Sequence, residues 1–135
     1  MIKKFKEKYF LNITKSLNQI NLKDFESFLK LVKNVKKNNK KIIIVGNGGS
    51  AAMASHVAVD FTKTCKIRSI NFNEADLITC FSNDYGYERW VEKTIDFYAD
   101  KNDILVLISS SGQSLNMINA CKAARNKKIS KIITF

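Results

Sequence analysis

"KIIIVGNGGSAAMASHVAVD", Lys41–Asp60, decides the fold. Ile42–Val45 is an unbroken β-branched run, the mark of a strand covered on both faces. Three glycines follow within four positions, and then small residues at helical spacing from about Ser50 to Phe61. A strand that passes through a glycine turn into a helix is the first half of a parallel β-α-β unit. "ILVLI" at Ile104–Ile108 repeats the strand, "SSSGQS" at Ser109–Ser114 repeats the turn, and Leu115–Arg125 repeats the helix. "KIITF" at the C-terminus reads as a further strand, and Arg68–Phe72 as a shorter one. Glu74–Phe81 and Tyr87–Phe97 read as helices. Strands alternating with helices predict a parallel sheet with helices on its faces.

Upstream, Ile2, Phe5, Tyr9, Ile13 and Leu17 recur every three or four residues and form one helical stripe. Asn21 is placed to cap a second helix, whose buried stripe is expected at Leu22, Phe25, Phe28, Leu29, Val32 and Val35. "KNNKK" at Lys37–Lys41 breaks that pattern. The expected organisation is a helical hairpin over 1–40, against a sheet-and-helix domain over 41–135, as one structural unit. The final strand-like run has no following helix to cover Ile132, Ile133 and Phe135. An edge position, a partner subunit or a truncated product would each account for this.

The 135 residues suit one domain, and their apolar fraction of 45% can build a core. No apolar run reaches membrane-spanning length, and the lysine-rich start lacks the apolar core of a signal peptide. A cytoplasmic protein with no membrane partner is expected. Cys65, Cys80 and Cys121 are widely spaced and odd in number, as for reduced thiols. Of the formal charge of +11, most lies in residues 1–41, which hold twelve lysines and three acids. Such a face attracts anions at long range. The region contains no arginine and little of the forked chemistry that reads bases, so a solvated lysine face is favoured over a nucleic-acid site.

In an open parallel sheet, ligands bind beyond the C-terminal strand ends. "GNGGS" and "SSSGQS" both lie there and both begin helices. Their amides and helix dipoles favour an anion, and the hydroxyls of Ser109, Ser110, Ser111 and Ser114 add donors. Serine and glycine are also ordinary turn residues. Two such turns, each at a strand end, point to a phosphorylated small molecule. "GNGGS" has neither the six-residue G-x-G-x-x-G spacing nor a Gly-Lys-Ser/Thr ending, which argues against a dinucleotide or nucleoside triphosphate. His56 and Asp60 are four residues apart, on one face of the expected helix. They could hold a metal, place a base near the turn, or form a structural hydrogen bond. Asn83 and Asp84 form another polar turn. Asp84 either meets a sugar hydroxyl or caps the helix that follows.

Together "GNGGSAAMASHVAVD", "SNDYGYE" and "ISSSGQSLNMINACKAAR" resemble the sugar isomerase (SIS) domain family, and within it the phosphoheptose isomerases. The resemblance covers most of the chain. It implies a flavodoxin-like three-layer αβα sandwich preceded by an N-terminal helical hairpin, a homotetramer with sites between subunits, and heptose supply for lipopolysaccharide or capsule. The implied reaction interconverts sedoheptulose 7-phosphate and its aldose isomer. By resemblance, Ser109, Ser110, Ser111 and Ser114 hold the phosphate. Asn47, Gly48, Gly49 and Ser50 frame the sugar, and Asn83 and Asp84 contact its hydroxyls. His56 resembles a zinc ligand, so Zn2+ is the implied cofactor, and Asp60 stands where the family carries a metal-binding catalytic glutamate. Two departures matter. Asp60 is one methylene shorter than that glutamate, and a base displaced by about 1 Å can lose about a hundredfold in rate. The family's C-terminal helix, with its glutamine and second histidine, has no counterpart here, and His56 is the chain's one histidine. The fold is thus expected to be incomplete at its C-terminus and turnover to be weak or absent. The alternative is a noncatalytic phosphosugar-binding or protein-interaction member, like relatives that associate with the replication initiator.

Overall fold

A computed structural model describes all of residues 1–135. The chain forms two compact units, Met1–Val32 and Lys33–Phe135. The first holds α1 (Ile2–Asn18) and most of α2 (Leu22–Lys37), the N-terminal helical hairpin. The Asn21 side chain accepts the Lys23 amide at 3.0 Å, so the capping expectation holds. The helical period is also right, but the burial expected of it is not. No residue of α1 is buried, and Leu22, Phe25 and Leu29 of α2 are exposed. Only Val32 and Val35 of the α2 stripe are buried. Periodicity fixes which face of a helix is apolar. It does not supply a surface to cover that face.

The second unit is built on four strands: β1 (Ile42–Gly46), β2 (Ser69–Asn71), β3 (Ile104–Ile108) and β4 (Lys131–Thr134). All pair in parallel, in the order β2-β1-β3-β4. Between them run α3 (Gly49–Lys63), α4 (Ala75–Tyr85), α5 (Trp90–Tyr98) and α6 (Leu115–Asn126). The path from β1 to β2 runs one way across the sheet, and that from β3 to β4 runs the other. Right-handed crossovers then put α3 and α6 on opposite faces. The side-chain pattern agrees. Ile43, Val45, Leu105 and Leu107 join Phe72, Trp90, Ile95 and the alanines of α6 in one core. Ile42, Ile44, Ile104 and Val106 alternate with them and are buried outside that cluster, as are Ala54 and Ala58 of α3. This is the three-layer αβα sandwich. β4 takes the edge position, which is why Ile132 and Ile133 remain half-exposed and Phe135 exposed.

Two boundaries differ from expectation: α5 begins at Trp90 rather than Tyr87, and α4 runs on past Phe81. Asn83 and Asp84 are not a turn. They occupy the last turn of α4, which continues to Tyr85 and stops at Gly86 with φ +87°. The helix ends where glycine can leave the right-handed region, one step beyond the polar pair. Asp84 therefore does not cap α5, whose N-cap is Arg89.

At the N-terminal edge of the sheet, Lys41 and Asp103 clamp β1 to β3. The Asp103 side chain is fully buried and lies 2.7 Å from Lys41 Nζ. Its other oxygen accepts the Lys41 amide at 3.1 Å. Asp100, largely exposed, also reaches Lys41 Nζ at 2.7 Å. Burial pulls the Lys41 ammonium toward a lower pKa, but the carboxylates of Asp100 and Asp103 outweigh it and hold it above its ordinary 10.5. The hydrogen bond from Lys41 holds the Asp100 carboxyl below 3.8.

Removing Asp103 leaves the Lys41 ammonium with the exposed Asp100 alone and unpairs the Lys41 and Asp100 backbone amides, so Asp103→Ala is expected to lose about 3 kcal/mol in urea unfolding. Asp100→Ala should cost clearly less. Lys41 contributes stability below about pH 10.5 that is lost as pH rises through its raised folded value. The Asp100 contribution is present above about pH 3.8 and is lost as pH falls through its lowered folded value. In Asp103→Ala the alkaline loss should be shallower than in the wild type.

Candidate functional site

β1 and β3 are neighbours, with Gly46 in register with Ile108. The two turns that follow them therefore leave the sheet side by side, about 5 Å apart. The strand order also reverses between β1 and β3. This is the topological switch point, where open α/β sheets part their loops and bind ligands.

The first turn depends on Gly46. A Cβ there would lie 2.5 Å from the carbonyl carbon and oxygen of Ser50. Only glycine lets the chain double back this closely into α3. Gly48, at φ +54°, makes the bend. The Ser50 and Ala51 amides are taken by the carbonyls of Asn47 and Gly48, each at 3.0 Å. Gly48 and Gly49 stand exposed at the positive end of α3, and their own amides make no backbone hydrogen bond.

Asparagines hold this turn in place. Gly46 exchanges two hydrogen bonds with the Asn73 side chain, donating its amide at 3.2 Å and accepting at its carbonyl at 2.8 Å. Asn71 donates to the Ile44 carbonyl at 2.7 Å and accepts from Ser55 Oγ at 3.0 Å. The sequence reading misses both asparagines. Their signal is the alternation Asn71-Phe72-Asn73, which sends the amides to one side of a short edge strand and the phenyl ring into the core.

In the second turn, the Ser109 amide donates to the Phe135 carbonyl at 2.7 Å. Ser109 Oγ accepts the Gly112 amide at 3.1 Å, and Ser111 Oγ accepts the Gln113 amide at 3.2 Å. Both hydroxyls keep their protons free to donate outward. Ser114 is the N-cap of α6, but its hydroxyl bonds to no backbone amide there. Ser110 and Ser111 are exposed, Ser109 and Ser114 half-buried. Neither turn carries a charged side chain, so an anion here meets amides, hydroxyls and two helix N-termini.

Asn47 joins the turns. It exchanges two hydrogen bonds with Asn116 of α6, at 3.0 and 2.9 Å, and accepts from the Tyr87 hydroxyl at 3.3 Å. Asn119, one helical turn beyond Asn116, donates to the Glu88 carbonyl at 3.0 Å. The segment after α4 is thereby held beside both turns. Asn83 and Asp84 are exposed, and Asn83 donates to Asp84 at 3.0 Å. Neither makes a hydrogen bond to the two turns. Asn116 and Tyr87 are further residues at the crevice that motif reading misses: both lie within the quoted blocks, but neither is a glycine, a serine or part of the Asn83–Asp84 pair.

His56 and Asp60 do share a face of α3, with His56 Nε2 3.5 Å from an Asp60 oxygen. The imidazole is 79% exposed and the carboxylate 58% exposed, and each is the other's one polar partner. Along α3 His56 lies about 10 Å beyond Gly49 at 1.5 Å per residue, so the pair stands away from the glycine turn. Nowhere do three or more His, Cys, Asp or Glu side chains gather at metal-binding distance. His56 and Asp60 offer two donors where zinc uses three or four, so these residues alone do not fit a zinc site.

The SIS domain model matches residues 8–134, and the chain belongs to that family. Phosphoheptose isomerases are among its relatives. That of Aliarcobacter butzleri is 41% identical over 96 residues, which cover 67% of this chain and 51% of the relative. That of Campylobacter concisus is 34% identical over 115 residues, covering 81% of this chain and 61% of the relative. The chain thus spans about half to three fifths of the length of these curated relatives. A solved phosphoheptose isomerase from Neisseria gonorrhoeae superposes with a TM-score of 0.88 at 27% identity, covering 99% of this chain and 75% of that one. One from Francisella tularensis, at 21% identity and a TM-score of 0.85, shows the same fold over 98% of this chain and 73% of its own length. No helix of the chain is long and apolar enough to cross a membrane.

The two central glycines differ in what they tolerate. Gly46→Ala drives a methyl into backbone and is expected to cost about 1–3 kcal/mol in denaturant unfolding. Gly49→Ala meets nothing within 4 Å, and should change stability by no more than about 1 kcal/mol, in the stabilising direction.

Proposed function

We propose that this chain binds a phosphorylated sugar, with the phosphate at Ser109, Ser110, Ser111 and Ser114. The sugar then lies toward Asn47, Gly48, Gly49 and Ser50, with Asn83 and Asp84 as its outer contacts. The observation that carries this reading is the pairing of β1 with β3, which sets two uncharged, donor-rich turns side by side at the switch point. Phosphate is recognised well by such donors, since hydrogen bonds to a charged acceptor are about twice as strong as neutral ones. The relatives' name, phosphoheptose isomerase, supports a phosphorylated heptose and an isomerisation, which we take to be the aldose–ketose reaction of sedoheptulose 7-phosphate that the sequence resemblance implies.

That reaction moves a proton between adjacent carbons. One group removes it while another protonates or polarises the carbonyl oxygen. Asp60 is the proposed base. His56 Nε2 lies 3.5 Å from it, and the 135 residues contain no second imidazole. Zinc, in this reading, would take His56 and Asp60 together with donors from outside these residues. A homo-oligomer would cover the apolar residues of α1, among them Ile2, Phe5 and Leu17, all exposed in the single chain. The second reading, a noncatalytic phosphosugar-binding member, is favoured by one specific observation: the His56–Asp60 pair is solvent-exposed and bonded to nothing in the crevice.

Calorimetric titration with sedoheptulose 7-phosphate is expected to give saturable heat, and Ser111→Ala to weaken binding about tenfold to a hundredfold, the loss of one hydrogen bond to a charged group. Absence of heat at millimolar ligand in folded protein would defeat the binding site. Exchange of the substrate C1 and C2 protons in deuterated water, with zinc supplied, separates the two readings. Exchange lost in Asp60→Asn supports the isomerase, and binding without exchange supports the noncatalytic form.

A further inference from the structure

We propose that Asn116 is a positioning residue of this crevice, acting through Asn47. The proposal rests on the phosphosugar reading above. Asn116 is 2% exposed at the second position of α6, so it cannot present its own amide to a ligand in the open turn. What it does is fix the amide of Asn47. Asn116 Oδ1 accepts the Met117 backbone amide at 3.1 Å, a donor that never changes sign. This settles which end of the Asn116 amide is oxygen and which is nitrogen. Its Nδ2 then faces Asn47 and donates to Asn47 Oδ1 at 2.9 Å. Asn47 must in turn send its Nδ2 to Asn116 Oδ1, at 3.0 Å.

The Tyr87 hydroxyl donates to the same Asn47 Oδ1 at 3.3 Å and so agrees with the orientation that Asn116 imposes. Asn47 Oδ1 is thus filled by two donors. Asn47 Nδ2 spends one hydrogen on Asn116 and keeps the other, so it is a donor of fixed direction at the rim of the glycine turn. Such a group suits a hydroxyl or carbonyl oxygen of a polyol chain, and it distinguishes a sugar phosphate from phosphate alone. Without Asn116 the Asn47 amide is free to flip and to rotate, and the ordering cost falls on each binding event.

The site separates positioning from plain structural support. Inorganic phosphate needs only the Ser109–Ser114 turn, whereas sedoheptulose 7-phosphate needs that turn and an ordered Asn47. Asn116→Ala and Asn47→Ala are each expected to weaken sedoheptulose 7-phosphate about tenfold and inorganic phosphate less than twofold. The double variant should be no worse than either single one, since both remove the same interaction. Asn116→Leu keeps the volume, adds no charge beside the phosphate turn and loses both bonds to Asn47, so it tests the same point should the alanine variant not fold. It should show the same split between the two ligands.

In the unliganded wild type, the Asn47 side-chain NH2 protons should exchange slowly in NMR spectra and become fast in either Asn116 variant. Losses that multiply in the double variant, or inorganic phosphate weakened in parallel with the sugar phosphate, would overturn the positioning role while leaving the crevice intact. Fast exchange of the Asn47 protons in the wild type would overturn it without any ligand. A wild-type chain that binds inorganic phosphate but no sugar phosphate would sink the sugar reading, and the role of Asn116 with it.

Discussion

Everything at the site depends on the parallel pairing of β1 with β3. Ile42 through Gly46 lie in register with Ile104 through Ile108, and that single ladder brings two turns sixty residues apart in sequence to one place. It is fixed at both ends by different physics. At the N-terminal end a buried carboxylate, Asp103, holds the Lys41 ammonium and the Lys41 backbone amide together. At the C-terminal end no charge is used. Gly46 has no side chain to obstruct α3, and asparagine amides take up the polar groups that the turn exposes. The charged clamp serves stability. The neutral end leaves the exposed amides and hydroxyls of the two turns without an internal counter-charge.

That division explains the character of the crevice. An arginine or lysine among the turns would bind any phosphate by charge alone. Here the donors are backbone amides, serine hydroxyls and the Asn47 amide, all of which work by direction. Directional donors select a shape as well as a charge, provided they are held still. The asparagines at 71, 73 and 116 do the holding, each bonded to a backbone group as well as to another side chain. The larger concavities lie elsewhere, one of about 430 Å³ beside Asn34 and Asn102 and one of about 400 Å³ along α3 and β2. Neither sits at the C-terminal end of two adjacent strands, where the proposed site lies.

Much of this was legible in the residues. The β-branched runs at Ile42–Val45 and Ile104–Ile108, each ending in a Gly/Ser turn and a helix, announced the parallel sheet and the two donor loops. They are local signals, readable without knowing what pairs with what. The stripes of α1 and α2 show the correct period, but the burial expected of the α2 stripe is met only at Val32 and Val35, because burial depends on a covering surface that no window of sequence contains. Asn83 and Asp84 were read as a turn because polar pairs favour turns, yet Gly86 sets the helix end. Asn116 and Asn73 escaped notice for a different reason. Their partners lie 69 and 27 residues away, and an asparagine in a helix or after a strand carries no local mark of such a bond.

The most direct test of the account is to map the amide resonances of the labelled chain while sedoheptulose 7-phosphate is added. Binding at the switch point predicts progressive shifts in the amides of Gly46–Ala51 and Ser109–Met117, with the Asn47 side-chain amide among them and the Lys41–Asp103 end unchanged. Shifts centred instead on the concavity beside Asn34 and Asn102, or on the basic N-terminal helices with both turns silent, would contradict it.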